Sequence, residues 1–205
     1  MRRRPKRSSR RLPEITRLRR ARPGRVALEV DGAPWRTVPD QVVLRCRLAA
    51  GVELDRPLLR RLRHELQDAD ALERAGRALA SRPLSERRLD ERLERAGLAA
   101  DVRRNAVTRL KASGLVDDAK LARGRADSLA GRGWGNGAIA ARLAADGFGE
   151  SAARAAIETL EPETERAVAL VVNVPDRRKA WALLARRGFA PDSIETAIGA
   201  LDDWQ

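Results

Sequence analysis

The chain has no tyrosine, two phenylalanines, one methionine, one histidine and one cysteine in 205 residues. With aromatics at 3%, the core must be built from Leu, Ala, Val and Ile, a composition that favours helices over strands. The lone Cys46 excludes an internal disulfide and any multi-cysteine metal site, and its rarity points to a reducing, cytosolic compartment. With no activating partner in sight, Cys46 itself reads as a small core residue. His64 stands between Arg63 and Glu65 and reads as a solvated surface residue rather than a base or ligand. No apolar run of about 18 residues occurs, and no short apolar core follows the charged N-terminus, so neither membrane spanning nor secretion is expected.

What is abundant is charge, with 42 Lys and Arg against 29 Asp and Glu. The excess sits at one end. Residues 1–25 hold twelve Lys/Arg and a single acid, Glu14, leaving 30 basic and 28 acidic residues over 26–205. A block such as Arg2-Arg3-Arg4-Pro5-Lys6-Arg7 repels itself, and predicts a disordered basic tail over 1–25. The tail either helps to hold phosphate backbones or is a dispensable leader.

Beyond the tail, Val26, Leu28 and Val30 alternate up to Asp31-Gly32, and Trp35 and Val38 continue past it, the pattern of a β-hairpin. Val42, Leu44, Cys46 and Leu48 alternate too, and fit either a third strand or a turn of helix. Residues 26–52 therefore read as a small β-rich cap. Asp55 and Pro57 then open a helix to about residue 81, with Leu58, Leu62, Leu66, Ala69, Leu72, Ala75 and Leu79 along one face. Arg82-Pro83 breaks it, and Ser85 is placed to cap the next helix.

Laying the chain on itself at Gly97, Gly147 and Gly188 aligns three segments without a gap. Four residues before each glycine stand Leu93, Leu143 and Leu184, eight before stand Leu89, Ile139 and Ala180, and one after stand Leu98, Phe148 and Phe189. Val107, Ile157 and Ile198 follow at ten, and Leu110, Leu160 and Leu201 at thirteen. Such a unit is a helix ending at a left-handed glycine, an apolar residue folding back over the cap, and a second helix. Segments 57–81, 116–131 and 163–174 supply a third helix to each pair. The expected fold is mainly α: an elongated tandem array of three three-helix units over 53–113, 114–161 and 162–205, behind a β-hairpin cap.

Signals for chemistry are thin, and no catalytic, cofactor or metal residue is assigned. Asp117-Asp118 reads as capping of a helix N-terminus, since no further ligand stands at a matching spacing. Gly131 to Gly137 lacks the preceding strand and the Lys-Ser/Thr ending of a phosphate loop and reads as an inter-helix turn. Within it Trp134 is either a buried anchor or an exposed contact, and the same two readings are open for Trp204.

Four strings stand in register with the repeat: Ala80-Ser81-Arg82-Pro83-Leu84-Ser85-Glu86-Arg87-Arg88-Leu89, Gly114-Leu115-Val116-Asp117-Asp118-Ala119, Arg132-Gly133-Trp134-Gly135, and Leu184-Ala185-Arg186-Arg187-Gly188-Phe189. In this order and spacing the chain resembles the bacterial RecX family of RecA regulators over about 26–201. The resemblance implies a non-enzymatic, cytoplasmic monomer that binds the RecA filament on DNA, restrains its ATPase and strand exchange, and serves DNA repair, recombination and the SOS response. Three positions depart from the family pattern. Leu121 replaces an aromatic residue, Asn136-Gly137 replaces a more basic or proline-containing stretch, and the first helix of the third unit runs early into Val174-Pro175-Asp176.

Basic runs recur at or near the second helix of the units, and the residues expected to contact RecA or DNA are Arg82, Arg87, Arg88, Arg132, Trp134, Arg177, Arg178, Lys179, Arg186 and Arg187. The competing function is a direct DNA-binding regulator whose helix pairs act as helix-turn-helix readers anchored by the tail. A reader requires a basic recognition helix, and these helices are mixed in sign.

Overall fold

The computed structural model describes residues 11–174 and 176–200. Residues 1–10 of the expected tail, and Trp204, lie outside the described residues. The chain divides into two compact units, residues 1–76 and 77–205. Among the described residues the chain is mainly helical, with a small antiparallel sheet at its N-terminal end.

The first unit holds strands β1 (Ile15–Arg22), β2 (Arg25–Val30) and β3 (Ala33–Pro39), in the order β1-β2-β3. Asp31 and Gly32 turn β2 into β3 with φ of 51° and 80°, as an Asp-Gly hairpin requires. Leu28 and Val38 bury one face of the sheet with Ile15, against Val42, Cys46, Leu58 and Leu62. One sequence expectation needs correction here. The basic tail was expected to run to residue 25, yet Ile15–Arg22 is an ordered strand, so the cap is a three-stranded sheet. Ile15 anchors it, buried and bonded through its N–H to the Val52 carbonyl at 2.9 Å while its own carbonyl accepts from Gly51 N–H at 2.8 Å. Of the two readings open for residues 42–48, the turn of helix holds, since Asp40–Cys46 forms helix α1. Cys46 is buried, and desolvation, followed by the nearby Glu65 carboxylate, pushes its thiol pKa up, away from reactivity. Helix α2 runs over Arg56–Ser81, with the Asp55 carboxylate accepting from Leu58 N–H at 2.7 Å.

The second unit continues through α3 (Glu86–Arg95), α4 (Ala100–Ala112), α5 (Asp118–Ala130), α6 (Asn136–Ala145), α7 (Glu150–Glu158), α8 (Glu163–Val171), α9 (Arg177–Arg186) and α10 (Pro191–Ala200). The repeat seen in sequence reappears in α3, α6 and α9. Each is ten residues long, and each is followed by a glycine of positive φ: Gly97 at 79°, Gly147 at 89° and Gly188 at 77°. Their N-caps, Ser85, Gly135 and Asp176, each lie twelve residues before that glycine. Helices α5, α6 and α7 enclose Ala122, Ala126, Leu129, Ile139, Leu143 and Phe148, and α8, α9 and α10 enclose Ala167, Val171, Ala180, Leu184, Phe189 and Ile194. The first helix of each bundle presents alanines inward, which lets its neighbours approach closely. Each fully buried Leu, Ile or Phe then contributes about 2 kcal/mol. Leu89 and Leu93 are buried on α3, while Leu98 is only half-buried. Leu121 packs against the α5–α7 core, so the family's aromatic position is filled here by a smaller side chain. Helix α8 is nine residues against the thirteen of α5.

Candidate interaction surface

The bundles of the second unit are joined by the same two parts of each repeat: the N-terminus of one second helix meets the glycine turn of the next. At the first joint the buried Ser85 hydroxyl accepts from Arg88 N–H at 3.4 Å and donates to the Asp146 carbonyl at 2.8 Å, while Arg88 also donates to the Ala145 carbonyl. At the second, Gly135 N–H donates to the Arg187 carbonyl at 2.9 Å and Gly137 N–H to the Gly188 carbonyl at 3.1 Å. A Cβ on Gly135 would stand 2.3 Å from Phe189 N, so the two backbones touch. Two side chains of α8 close this joint. Glu163 accepts from Asn136 N–H and from the Ser193 hydroxyl, the latter at 3.1 Å, and Arg166 donates to the Trp134 carbonyl at 2.8 Å.

The acidic pair expected to cap has two separate tasks. Asp117 caps α5, accepting from Lys120 N–H at 2.9 Å. Asp118 instead reaches α3 and accepts from Glu86 N–H at 2.9 Å, beside the Lys111–Glu86 ion pair at 2.7 Å. Burial raises the Asp118 pKa above its ordinary value, ahead of the opposing hydrogen bond from Glu86. Because the folded pKa is raised, the fold is favoured by the protonated form, and this contribution is complete below the ordinary carboxyl pKa and lost as pH rises through the raised value. Asp118→Asn keeps an acceptor without the charge and should match or exceed the parent in stability at pH 7, the gap closing toward pH 4. Asp118→Ala leaves Glu86 N–H without its acceptor and should cost about 1–2 kcal/mol at either pH. Thermal midpoints of the two variants across that range check both statements.

The ten expected contact residues fall into two groups. The first is engaged within the molecule. Trp134 is half-buried against the α5–α7 core with the Arg187 guanidinium 5.2 Å from its ring, Arg187 donates to the Arg132 carbonyl at 2.8 Å, and Arg88 spans the first joint. The second is exposed: Arg82, Arg87, Arg177, Arg178, Lys179 and Arg186. Arg88 and Arg87 both bond Glu91, at 2.8 and 3.1 Å, and these hydrogen bonds, Arg88's first, hold its carboxyl below the usual carboxylate range.

Two surfaces emerge from these placements. One is a groove of about 650 Å³ at the first joint, lined by Arg82, Arg88, Arg92, Arg95 and Arg125 against a single acid, Asp146. Arg88, Arg92 and Arg95 stand at i, i+4 and i+7, one face of α3. Arg125 is bound to Asp146 at 3.0 Å, whereas Arg82, Arg92 and Arg95 form no ion pair among the described residues, Arg95 donating only to the Glu91 backbone carbonyl. The other surface is at α9, where Arg177, Arg178, Trp181, Glu195, Ile198 and Gly199 line a shallow groove of about 460 Å³ and Trp181 is 43% exposed. Helix α9 opens with Arg177-Arg178-Lys179 and has no acid in its first turn. Cations at a helix N-terminus oppose the macrodipole by about 0.3–1 kcal/mol each, and the N-cap Asp176 offsets part of this through Lys179 at 3.8 Å.

Sequence reasoning missed Arg92, Arg95, Arg125 and Trp181. The i, i+4, i+7 spacing on α3 was legible, but the approach of α5 to that face is a tertiary fact. Trp181 follows the inward Ala180 directly, and on a helix the neighbour of a core position faces away from it.

No protein-family model matches the sequence. The regulatory protein RecX of Xanthomonas oryzae pv. oryzae is 35% identical over 136 residues, covering 62% of this chain and 85% of the relative. The chain belongs to the RecX family. The RecX protein of Syntrophotalea carbinolica is 37% identical over 136 residues, 59% of this chain and 89% of its own length. A crystal structure of regulatory protein RecX superposes with TM-score 0.79 at 24% identity, covering 94% of this chain and all of that one, and RecX from Lactobacillus salivarius with 0.62 at 19%. These RecX structures share the fold, and the RecX relatives are regulatory proteins. Among the described residues no helix is long and apolar enough to cross a membrane, and no three His, Cys, Asp or Glu side chains form a metal-binding group.

Proposed function

We propose that this RecX-family chain binds the RecA filament assembled on DNA and restrains ATP hydrolysis and strand exchange, acting as a monomer in the cytoplasm within DNA repair and the SOS response. It works by binding and performs no chemistry of its own. The observation that carries the reading is the arginine groove on α3. Five guanidiniums face one carboxylate there, and three of the five, Arg82, Arg92 and Arg95, form no ion pair among the described residues. An acidic face of a partner supplies what the groove lacks, through planar, bidentate pairing that arginine performs better than lysine. Trp181 beside Arg177 and Arg178 adds a second contact of the residue types that dominate binding energy at interfaces.

The test is sedimentation of preformed RecA filaments on single-stranded DNA with increasing amounts of the full chain. Saturable co-sedimentation at micromolar concentration, weakening steadily with salt, is the expected result. A chain that stays in the supernatant throughout defeats the reading.

A further inference from the structure

The N-terminal sheet carries four arginines within six residues of one strand, and neither the helical surfaces nor the proposed regulation uses them. Strand β1 is an edge strand, and Arg17, Arg19, Arg20 and Arg22 are all exposed along it. None forms an ion pair among the described residues. The ladder fixes which way they face. Leu18 pairs with the buried Leu28, and Arg20 with Val26, itself opposite the buried Val38, so this parity is the core side. Arg17, Arg19 and Arg22 have the opposite parity after the register shifts at either end, and lie on the outer face. Their cross-strand row is small and neutral where Arg19 meets Ala27 and Thr37, which leaves the guanidiniums uncovered. Glu29, opposite Arg17, is the acid on this face and forms no ion pair with it.

Stability alone does not select this arrangement. Arg22 stands directly opposite Arg25 in the ladder, and Glu73 matches Arg25 at 2.7 Å while Arg22 forms no ion pair among the described residues. Charged residues on an edge strand discourage strand addition, but a single one serves that purpose. Four arginines in six residues exceed it. Arg17 and Arg19, both on the outer face, are about 6.6 Å apart along the strand, a spacing comparable to successive phosphates of an extended nucleic-acid strand. The same cationic run continues in sequence through Arg2, Arg3, Arg4, Lys6, Arg7 and Arg10 with no acid among residues 1–10.

The geometry points to the β1 edge and outer sheet face as a binding surface for the phosphate backbone of a single nucleic-acid strand, contacted by Arg17, Arg19, Arg20 and Arg22 without reading its sequence. Charge complementarity selects this occupant. Exposed guanidiniums strung along one edge strand meet a linear polyanion at successive positions, while an acidic protein surface offers only scattered carboxylates. This contact lies beyond the proposed RecA regulation, and it is tested without RecA.

The experiment uses the full chain, a fluorescein-labelled thymidine oligonucleotide and anisotropy between about 50 and 200 mM salt. Arg17→Gln, Arg19→Gln, Arg20→Gln and Arg22→Gln together should weaken binding at least about tenfold at the low-salt end and reduce the magnitude of the log K against log salt slope by about 3. The same four changed to Lys should retain most of the binding, which guards against a loss caused by misfolding. Binding unchanged in the Gln quartet overturns the inference, as does an equal loss in the Lys quartet. It is equally overturned if all binding disappears on neutralising Arg2, Arg3, Arg4, Lys6, Arg7 and Arg10 alone, or if polyglutamate or phosphatidylserine vesicles displace the oligonucleotide at matched charge concentration.

Discussion

Gly135→Ala should destabilise the second unit by about 3 kcal/mol or more, near the upper end for overpacking, because its new methyl would meet backbone rather than a yielding side chain. The added Cβ would lie 2.3 Å from Phe189 N and 2.4 Å from the Gly188 carbonyl oxygen. Relief requires the α6 N-terminus and the α9–α10 turn to separate, which breaks the hydrogen bonds from Gly135 and Gly137 N–H and loosens the hold of Arg166 on the Trp134 carbonyl. Gly188→Ala should be of similar size, combining a left-handed φ of 77°, at about 1–2 kcal/mol for a side chain, with a 2.6 Å approach to Ala138 Cβ. Gly97→Ala is the internal control. Its φ of 79° is the same, but nothing lies within 4 Å of the added methyl, so only the backbone term of about 1 kcal/mol remains. Thermal midpoints decide it: roughly 10 °C or more should be lost for Gly135→Ala and a few degrees for Gly97→Ala. Equal losses would mean that the joint between the bundles is looser than the structure describes.

Reversing two of the three unmatched charges of the groove, Arg82→Glu with Arg92→Glu, should weaken filament binding about 10- to 100-fold. Each reversal replaces an attraction by a repulsion, worth about 1 kcal/mol per position at a polar interface. Stability should stay within about 0.5 kcal/mol, since both side chains are exposed and neither forms an ion pair among the described residues. Arg82→Lys with Arg92→Lys should lose far less, retaining the charge but not the bidentate geometry. Sedimentation with the RecA filament, compared with the unaltered chain at equal salt, measures both. If charge reversal leaves co-sedimentation unchanged, the groove is not the contact.

The repeat was legible in sequence because its physical causes are local. A helix that ends in a left-handed turn requires a residue such as Gly97, Gly147 or Gly188, and the side chains that close the bundle recur four and eight residues before it and one after. Ser85 and the acid at 117 could be read as caps for the same reason, and the structure gives both that role. Strand β1 was not legible. Its inward residues are Ile15 and Leu18, and irregularities between Ile15 and Arg17 and between Arg20 and Arg22 interrupt the alternation that identifies a strand. The arginines between them resemble the preceding tail in composition, and the tertiary contacts of Ile15 decided the conformation.

The candidate surfaces were half legible. Arg87, Arg88, Arg177, Arg178 and Lys179 were found as runs of charge, but a run does not disclose which members are consumed internally. Arg88 and Arg187 each bond a backbone carbonyl across a joint, while Arg82 and Arg186 remain exposed. The glycine-rich stretch around Trp134 was read as a turn, and it is one. Its second role, the close seating of Gly135 on Gly188, depends on a partner 53 residues away and has no local signature beyond the twelve-residue offset that also places Ser85 and Asp176.

The central claim is that the helical body of this RecX-family chain regulates RecA through the arginine groove, and RecA's ATP hydrolysis on single-stranded DNA tests it most directly. The unaltered chain, and one with the six Lys and Arg of residues 1–10 neutralised, should both depress hydrolysis at or below one chain per RecA, while Arg82→Glu with Arg92→Glu should need at least about tenfold more protein. Hydrolysis unchanged by the unaltered chain, or depressed equally by the charge-reversed one, would contradict the account.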